Sequence, residues 1–355
     1  MSSQVLSIEK SNLSSEMIKQ HVLPHYNLQN GVISIIKFKD TDKQRAVYRV
    51  DFKNKSYCLK KVYYDLKDLL YVYSANEWLY RNGIKVPKLL PTIDNNRFVY
   101  YENMLFILTP WIEGEKCNFD NINHVLYSVN KLATIHKISH NFYPITGSSL
   151  KEGFEDYYIS TLKHFQDLLK ASNESFKYKD KFSREFILNF DLNLRLAKIS
   201  LDMSNKIDTK NLTKSLCHGD FVNKNIIFPP DMEPWIIDFD KCKTDYCAKD
   251  LAYFMRRLLK RENTKWNIDL AMSVIKTYTN ISPLTISDFR YLVSYICFPQ
   301  KYWKISRDYY KNINKCNKTA FMTLLKSATS KTDLQYDFAV NIIDKIQKDF
   351  NIILL

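Results

Sequence analysis

The sequence predicts an α+β protein with a small β-rich part followed by a larger helical part. Two observations support this prediction. Apolar residues alternate with polar ones in the first hundred residues, and they recur three and four apart through most of the rest. The chain has 355 residues, 45% of them hydrophobic, which is enough for a large core. We expect one lobe over residues 1–109 and a second over residues 110–355.

The β-rich part begins with three short runs rich in β-branched and aromatic residues. Polar turns separate the runs, which predicts an antiparallel meander. A short helical segment over residues 11–26 precedes the first run, and Pro24 is expected to break it. The three runs are VISIIKF, AVYRVDF and SYCLKKV.

One helix and two further strands complete the predicted first lobe. The helix covers DLKDLLYVYSANEWLYRNG, where apolar residues recur at helical spacing and Gly83 is a candidate C-cap. Two strands follow, with a turn at Glu102 and Asn103 between them; they are RFVYYENM and LFILTPWI. Beyond them the pattern is helical, as in residues 122–138 and 154–170, and helices return at Asp250 after one interruption.

Charge and cysteine content narrow the function classes. The formal net charge of +14 favours anionic partners, but the basic residues are dispersed among acidic ones and no nucleic-acid motif is present. We therefore expect a nucleotide partner and no nucleic acid. Seven cysteines without a paired CxxC predict buried free thiols. The longest nearly uncharged apolar run, residues 104–112, is far below the ~20 residues that span a bilayer, so we expect no membrane partner and cytoplasmic synthesis.

The interruption of the helical region, SLCHGDFVNKNIIFPPDMEPWIIDFD, contains a candidate catalytic loop. His218, Asp220 and Asn225 have the pattern His-x-Asp-x-x-x-x-Asn. In phosphoryl transfer this spacing lets the carboxylate face an acceptor hydroxyl while the amide turns towards a metal ion. We predict that Asp220 and Asn225 are catalytic and that His218 anchors the loop by hydrogen bonds.

A predicted hairpin after this loop adds two carboxylates. The runs at residues 225–228 and 235–237 would pair and return Asp238 beside the loop. Asp240 comes two residues later, which predicts the same face of the strand. Carboxylate and amide oxygens are the ligands that Mg²⁺ prefers. We therefore predict Asn225, Asp238 and Asp240 as metal ligands.

Upstream residues complete a site for ATP and Mg²⁺. Lys60 ends the third strand, in the position of a lysine that holds phosphates, and Glu77 lies in the next helix, where it could pair with Lys60. The segment FILTPWIEG, with Thr109 and Trp111, has the position of a hinge whose backbone would bind the adenine edge. These four residues are the predicted cofactor-binding set.

Several segments mark a family resemblance. HGDFVNKN, WIIDFD and KDLAYFMRR resemble the aminoglycoside phosphotransferase and choline kinase superfamily. The sequence is more similar to the spore-coat protein S family of endospore-forming bacteria, and this similarity extends from about residue 30 to about residue 325. It rests on LKKVYYDLKDLLYVYSANEWLYRNGIKVPKLLPT, CHGDF, IIDFDKCKTDYCAKDLAYFMRR and YICFPQKYWKISRDYY.

The resemblance implies a bilobal protein kinase-like fold, with an antiparallel β-sheet and one helix in the first lobe and helices in the second. It implies that Asp250 braces the catalytic loop through backbone contacts. It also implies synthesis in the mother-cell cytoplasm and deposition in the spore coat. The expected partners are a nucleotide, a hydroxyl acceptor and other spore-coat proteins.

The sequence departs from the pattern of many kinases in the turn between the first two strands, so alternative functions stay open. The turn KDTDKQR, residues 39–45, contains no glycine, whereas many kinases use a glycine-rich loop there so that backbone amides can approach the phosphates. The first alternative to a spore-coat phosphotransferase is an inactive pseudokinase that serves coat assembly. The second is a cytoplasmic kinase for a choline-, aminoglycoside- or thiamine-like small molecule.

Overall fold

The computed structural model describes residues 12–39, 44–231 and 233–354. The strands are β1 Val32–Lys39, β2 Arg45–Phe52, β3 Lys55–Lys61, β4 Val99–Tyr101, β5 Met104–Pro110, β6 Glu115–Lys116, β7 Lys214–Cys217, β8 Ile226–Phe228, β9 Trp235–Ile236 and β10 Lys243–Tyr246. The helices are α1 Ser15–His21, α2 Leu66–Arg81, α3 Ile122–Ile138, α4 Tyr157–Tyr178, α5 Lys181–Leu188, α6 Phe190–Asn205, α7 Cys247–Leu259, α8 Ile268–Thr279, α9 Ile286–Cys297, α10 Gln300–Lys311, α11 Lys318–Thr329 and α12 Thr332–Phe350. No helix within these described ranges is long and apolar enough to cross a membrane.

The predicted α+β fold class is confirmed. Strands β1 to β5 form one antiparallel sheet in the order β1-β2-β3-β5-β4, and the meander of β1, β2 and β3 is as predicted. Element limits differ from the predicted ones by a few residues; for example, α7 begins at Cys247 rather than at Asp250. Such shifts are expected because capping and side-chain hydrogen bonds, not periodicity, decide where an element begins.

The chain divides into two compact units. The first contains the described residues up to 117 together with 141–151 and 223–242, and the second contains 118–140, 152–222 and 243–354. The hairpin β8–β9 is therefore in the same unit as the five-stranded sheet, but it pairs with β6 in a separate three-stranded sheet. The boundary after residue 109 stays a prediction from the sequence.

One face of the sheet forms the core of the first unit. Tyr48, Leu59 and Phe106 are fully buried there and pack with apolar residues of α1. The Tyr48 hydroxyl donates a hydrogen bond to the backbone carbonyl of Leu13 at 2.6 Å, so the buried phenol keeps a partner. The opposite face carries Lys60, because successive residues of a strand point to opposite sides.

A β-bulge adds a second lysine to that opposite face. Ile35 is in register with Tyr48 on β2, but Lys37 is in register with Val47, so Ile36 is the extra residue. Val47 is also in register with Lys60 on β3. Since cross-strand partners share a face, Lys37 and Lys60 lie on the same side of the sheet. A regular alternation would have placed Lys37 on the buried side with Ile35.

Stacked aromatic rings form a core cluster in the second unit. Phe186 on α5 is fully buried, and its ring stacks on that of Tyr302 with centroids 4.8 Å apart. The Tyr302 hydroxyl donates a hydrogen bond to the Phe186 carbonyl at 2.7 Å. These contacts attach α5 to α10.

We predict that Phe186→Ala lowers the free energy of unfolding by about 3–5 kcal/mol, because it removes a buried ring and leaves a cavity. Leu188→Ala is the matched control on the same helix, since Leu188 is 81% exposed and should change that free energy by no more than about 0.5 kcal/mol. Urea titration followed by circular dichroism measures both. Equal effects of the two substitutions would contradict the proposed core.

Candidate functional site

The centre of the site in the first unit is a lysine between two carboxylates. The Lys60 ammonium lies 2.6 Å from Asp238 Oδ1 and 2.7 Å from Asp240 Oδ1. The side chains of Lys60 and Asp240 are 17% and 7% exposed, whereas that of Asp238 is 34% exposed. The structure thus brings together three of the predicted site residues, from segments about 180 residues apart.

The two carboxylates reach Lys60 by a route that differs from the predicted one. Strand β9 ends at Ile236, so Asp238 and Asp240 do not share a strand face, and that expectation was wrong. Asp238 instead has a left-handed backbone, with φ 68° and ψ 62°, and starts a 3-10 turn over Phe239–Lys241 that contains Asp240. Left-handed conformations cost energy in residues other than glycine and are concentrated at functional sites.

The charge balance of this centre keeps Lys60 protonated. Burial opposes the ammonium charge, but the nearby Asp240 and Asp238 outweigh it and raise the pKa of Lys60 above its ordinary value. Tyr64 adds a hydrogen bond, donated by its hydroxyl to Asp240 Oδ1 at 3.3 Å. The result is a compact arrangement of one cation and two anions on the Lys60 face of the sheet.

The expected ion pair between Lys60 and Glu77 is not formed, so this prediction is corrected. The Glu77 carboxylate lies 2.9 Å from Arg81 Nε and 3.9 Å from Lys88 Nζ. Arg81 stands four residues after Glu77 on the same helix, which is the favourable spacing for an ion pair. The helical spacing correctly predicted that Glu77 lies in the helix after β3. It could not predict which basic side chain would form an ion pair with Glu77.

The remaining predicted residues of the first unit are Asn225, Thr109 and Trp111. Asn225 is buried and ends a 3-10 turn over Asn223–Asn225, just before β8. Thr109 is in register with Cys58 on β3, two residues from Lys60. Trp111 donates its backbone N–H to the carbonyl of Ser56 at 3.0 Å.

Sequence reasoning missed Lys37 as a site residue. Burial lowers its pKa, and the nearby Lys224 lowers it further, while Asp238 opposes the change. A cation in this surrounding is available to an anionic ligand. The only sign of this in the sequence is that the alternation of apolar and polar residues breaks at Ile35-Ile36-Lys37. Such a break identifies a bulge only when the pairing register with β2 is known. Residues 40–43 of the glycine-free turn lie outside the described residues.

His218 and Asp220 of the predicted catalytic loop lie in the second unit, whereas Asn225 lies in the first. Asp250 accepts backbone hydrogen bonds from His218 N at 2.6 Å and from Gly219 N at 3.0 Å. Asp220 donates its backbone N–H to His218 Nδ1 at 3.2 Å, and its carboxylate accepts a hydrogen bond from the Tyr253 hydroxyl at 3.4 Å. Gly219 has φ 73°, a left-handed conformation that glycine adopts without strain. These bonds determine the orientation of the loop around Asp220.

A buried histidine that the sequence analysis did not single out supports Asp250. His136 Nε2 lies 3.6 Å from Asp250 Oδ2, and His136 Nδ1 lies 2.6 Å from the Tyr278 hydroxyl. Burial opposes its charge, but the carboxylate of Asp250 favours it and raises the pKa of His136 above its ordinary value. For Asp250, burial favours the neutral form, but His136 and the donors of the loop hold its pKa below the ordinary value. Both groups are therefore charged at neutral pH.

His136 also belongs to a buried group with two cysteines. Ligand atoms of His136, Cys217 and Cys247 lie within 4.8 Å of one another. Burial raises the pKa of Cys217 well above its ordinary value, which keeps the thiol protonated. Buried protonated thiols pack as small apolar side chains.

Comparison with known proteins confirms the resemblance. The family model described as "Spore coat putative kinase YutH" matches residues 32–341. Spore coat protein S of Bacillus subtilis (strain 168) is 18% identical over 301 residues, which are 83% of this chain and 85% of that protein.

Two solved structures show the fold. The aminoglycoside phosphotransferase of Alicyclobacillus acidocaldarius superposes with a TM-score of 0.77 at 18% identity, covering 96% of this chain and 99% of that one. A spectinomycin phosphotransferase, solved in complex with ADP and spectinomycin, has a TM-score of 0.60 at 20% identity, covering 90% of this chain and 96% of that one. The predicted kinase-like fold is thereby confirmed.

We predict a specific pH dependence from His136. Because the pKa of His136 in the folded protein lies above its ordinary value of 6.5, the stability that the charged imidazole contributes is fully present below about pH 6.5 and is lost as the pH rises through the raised pKa. The difference in free energy of unfolding between the wild type and His136→Gln should therefore shrink between about pH 6 and about pH 10. Urea titrations at several pH values measure it.

Ser139→Ala is the control for this pH series, because Ser139 is buried close to His136 in sequence but does not titrate. Its effect on stability should stay constant with pH. A His136→Gln effect that is equally constant would show that the imidazole is uncharged in the folded protein.

Proposed function

The chain belongs to the YutH family of spore coat proteins, and we propose that it binds a magnesium–nucleotide complex and transfers a phosphoryl group to a hydroxyl. The single observation that carries the proposal is the Lys60 ammonium between Asp238 and Asp240. Phosphoryl transfer requires a cation for the phosphates and carboxylates for the metal, and this centre contains both. The kinase-like fold supports the same conclusion.

The donor set fits magnesium. Asp238 and Asp240 offer carboxylate oxygens, Asn225 of the same unit offers an amide oxygen, and hard oxygen ligands suit Mg²⁺. The ammonium of Lys60 already sits between the two carboxylates, which shows that a positive charge is stabilised there. When bound, the metal would neutralise charge on the phosphate oxygens. Lys60 and Lys37 would hold the phosphates, and the backbone near Thr109 and Trp111 would receive the adenine.

Asp220 is the proposed base for the transfer. Its carboxylate would orient the acceptor hydroxyl and accept its proton, while the hydroxyl oxygen forms a bond to the γ-phosphorus and the bond from that phosphorus to the leaving ADP oxygen breaks. The Tyr253 hydroxyl, which donates to Asp220, and the backbone bonds of the loop to Asp250 would keep the carboxylate in place. The products are ADP and a phosphate monoester.

We place this activity in the spore coat. Membership of the family and the relation to spore coat protein S support that location. The acceptor would be a hydroxyl of a small molecule or of a coat component, and other coat proteins would be the partners. Synthesis in the mother-cell cytoplasm belongs to the same proposal.

A second candidate is a pseudokinase that serves coat assembly. The specific observation in its favour is the engagement of Glu77 by Arg81 and Lys88, which leaves Lys60 paired with the metal-site carboxylates instead. In active protein kinases the corresponding lysine and glutamate form an ion pair. The glycine-free turn after β1 also supports a pseudokinase, because it lacks the glycines that let backbone amides approach the phosphates.

We predict that ADP with magnesium raises the melting temperature of the purified protein, since a ligand at about 100 times its dissociation constant adds about 2.7 kcal/mol of stability. Asp238→Asn should weaken this magnesium-dependent binding at least about tenfold, because a charged ligand of the metal is lost. Calorimetry measures both affinities.

Asp231→Asn is the matched control for the nucleotide experiment. Asp231 lies in the same hairpin loop, is exposed, and should leave nucleotide affinity unchanged. If Asp238→Asn and Asp231→Asn bind ADP and magnesium like the wild type, the assignment of the centre to the nucleotide is wrong.

We predict that Asp220→Asn retains nucleotide binding but reduces phosphoryl transfer about a hundredfold or more, since a positioned base contributes that much to the rate. The measurement is transfer of labelled γ-phosphate to a spore-coat extract. Asp202→Asn, an exposed aspartate of α6, is the control and should keep the wild-type rate. Equal background rates for wild type and Asp220→Asn would contradict transfer and leave the pseudokinase.

A further inference from the structure

The second unit contains a cavity of about 230 Å³ whose lining is rich in cations. This volume corresponds to that of about eight water molecules in the liquid, enough for a small organic ligand. The end of α7 and the first turn of α10 contribute to its walls, and so does the segment that leads into α12. The charged side chains at the cavity are Arg256, Lys260, Glu262, Lys301 and Lys331.

Three of these cations have no carboxylate partner among the described residues. The only acid of the lining, Glu262, lies 2.5 Å from Lys331 and is used by it. Arg256 is positioned by neutral groups: it donates to the Tyr295 hydroxyl at 2.9 Å and to Gln300 Oε1 at 3.4 Å. Lys260 and Lys301 are exposed and take part in no ion pair within the described ranges.

Two helices begin at the same cavity, and this adds positive potential. The first residues of α10, including Gln300 and Lys301, line it, and so does Lys331, the residue before α12. No described side chain caps either helix, whereas α4, α5, α8, α9 and α11 each have a side-chain cap. Uncapped N–H groups at a helix start carry partial positive charge and attract anions.

The cations repel one another. Partial burial and the nearby Lys301, Arg257 and Arg256 together lower the pKa of Lys260 to about 8. Such crowding is unfavourable as long as no negative charge enters the cavity. An anion placed between Arg256, Lys260 and Lys301 would remove the repulsion and form charge-assisted hydrogen bonds.

We propose that this cavity binds a small multivalent anion that carries carboxylate or phosphate groups. Three unpaired cations and two helix starts match two or more negative charges, and the limited volume favours a small molecule. Trp266, Phe298 and Tyr302 also line the cavity and would contact an apolar part of the ligand. A cationic ligand of the choline or aminoglycoside type would meet repulsion here. This site lies within the second unit, and its proposal does not depend on the proposed function.

The test compares two double variants that remove the same charge from the protein. Lys260→Gln with Lys301→Gln removes two cations of the cavity, and Lys304→Gln with Lys311→Gln removes two exposed lysines of α10 outside it. The probes are citrate, a tricarboxylate, and inorganic pyrophosphate, each titrated calorimetrically without magnesium. We expect the wild type and the α10 control to bind at least one probe, and the cavity variant to bind it about tenfold or more weakly.

The preference between the probes identifies the ligand chemistry. Tighter binding of pyrophosphate would indicate an organic phosphate, and tighter binding of citrate a polycarboxylate. Melting temperature and circular dichroism without ligand control for folding; the cavity variant should melt at or above the wild-type temperature, since repulsion is removed. A site proposed for an anion is contradicted if neither probe binds the wild type, or if all three proteins bind equally.

A pH series adds a readout that a merely structural lysine would not change. Lys260 loses its proton as the pH rises through about 8, so anion affinity should fall between about pH 7 and about pH 9. Lys260→Arg stays charged throughout this range and should flatten the fall. An unchanged pH profile in Lys260→Arg would remove Lys260 from the site.

Discussion

A lysine held between two carboxylates is the interaction on which the first unit depends. The Lys60 ammonium is largely buried, and a buried charge without a partner is strongly destabilising. Asp238 and Asp240 supply that partner, so the segment after β9 must return to β3. The left-handed backbone at Asp238 is compatible with this requirement, because the ion pairs offset its strain. The carboxylates that neutralise Lys60 are the ones that we propose as magnesium ligands.

In the second unit, a buried carboxylate likewise binds the part of the predicted catalytic loop that contains His218 and Gly219. Asp250 is buried and charged, and it is satisfied by two backbone donors and by His136. A loop with two consecutive backbone N–H groups bound to one buried carboxylate has little freedom to reorient. Asp220 follows Gly219 directly in sequence, so the bonds of the loop to Asp250 also position Asp220. This separates the stability of the loop from the chemistry that we propose for it.

Much of the fold and part of the site follow from the sequence. Alternation predicted the meander of β1 to β3, and helical spacing predicted α2 and α3, because both patterns record which face of an element is buried. The spacing of His218, Asp220 and Asn225 predicted a catalytic loop, because the requirement is local. Three expectations about partners did not hold or could not be made. Glu77 forms an ion pair with Arg81 and not with Lys60. Asp240 lies in a 3-10 turn and not on a strand, and a β-bulge places Lys37 on the Lys60 face of the sheet.

The sequence by itself determined the fold class, the family and the segment that carries the candidate chemistry, since each depends on residues close together in the chain. Only the tertiary structure decided which charges meet. Lys60 and Asp238 are 178 positions apart, and Arg256 and Lys301 come from different helices. Coulomb interactions depend on distance in space and on exclusion of water, and neither quantity is encoded in spacing along the chain. The placement of Lys37 and Lys60 on one face of the sheet and the basic cavity of the second unit therefore became visible only in three dimensions.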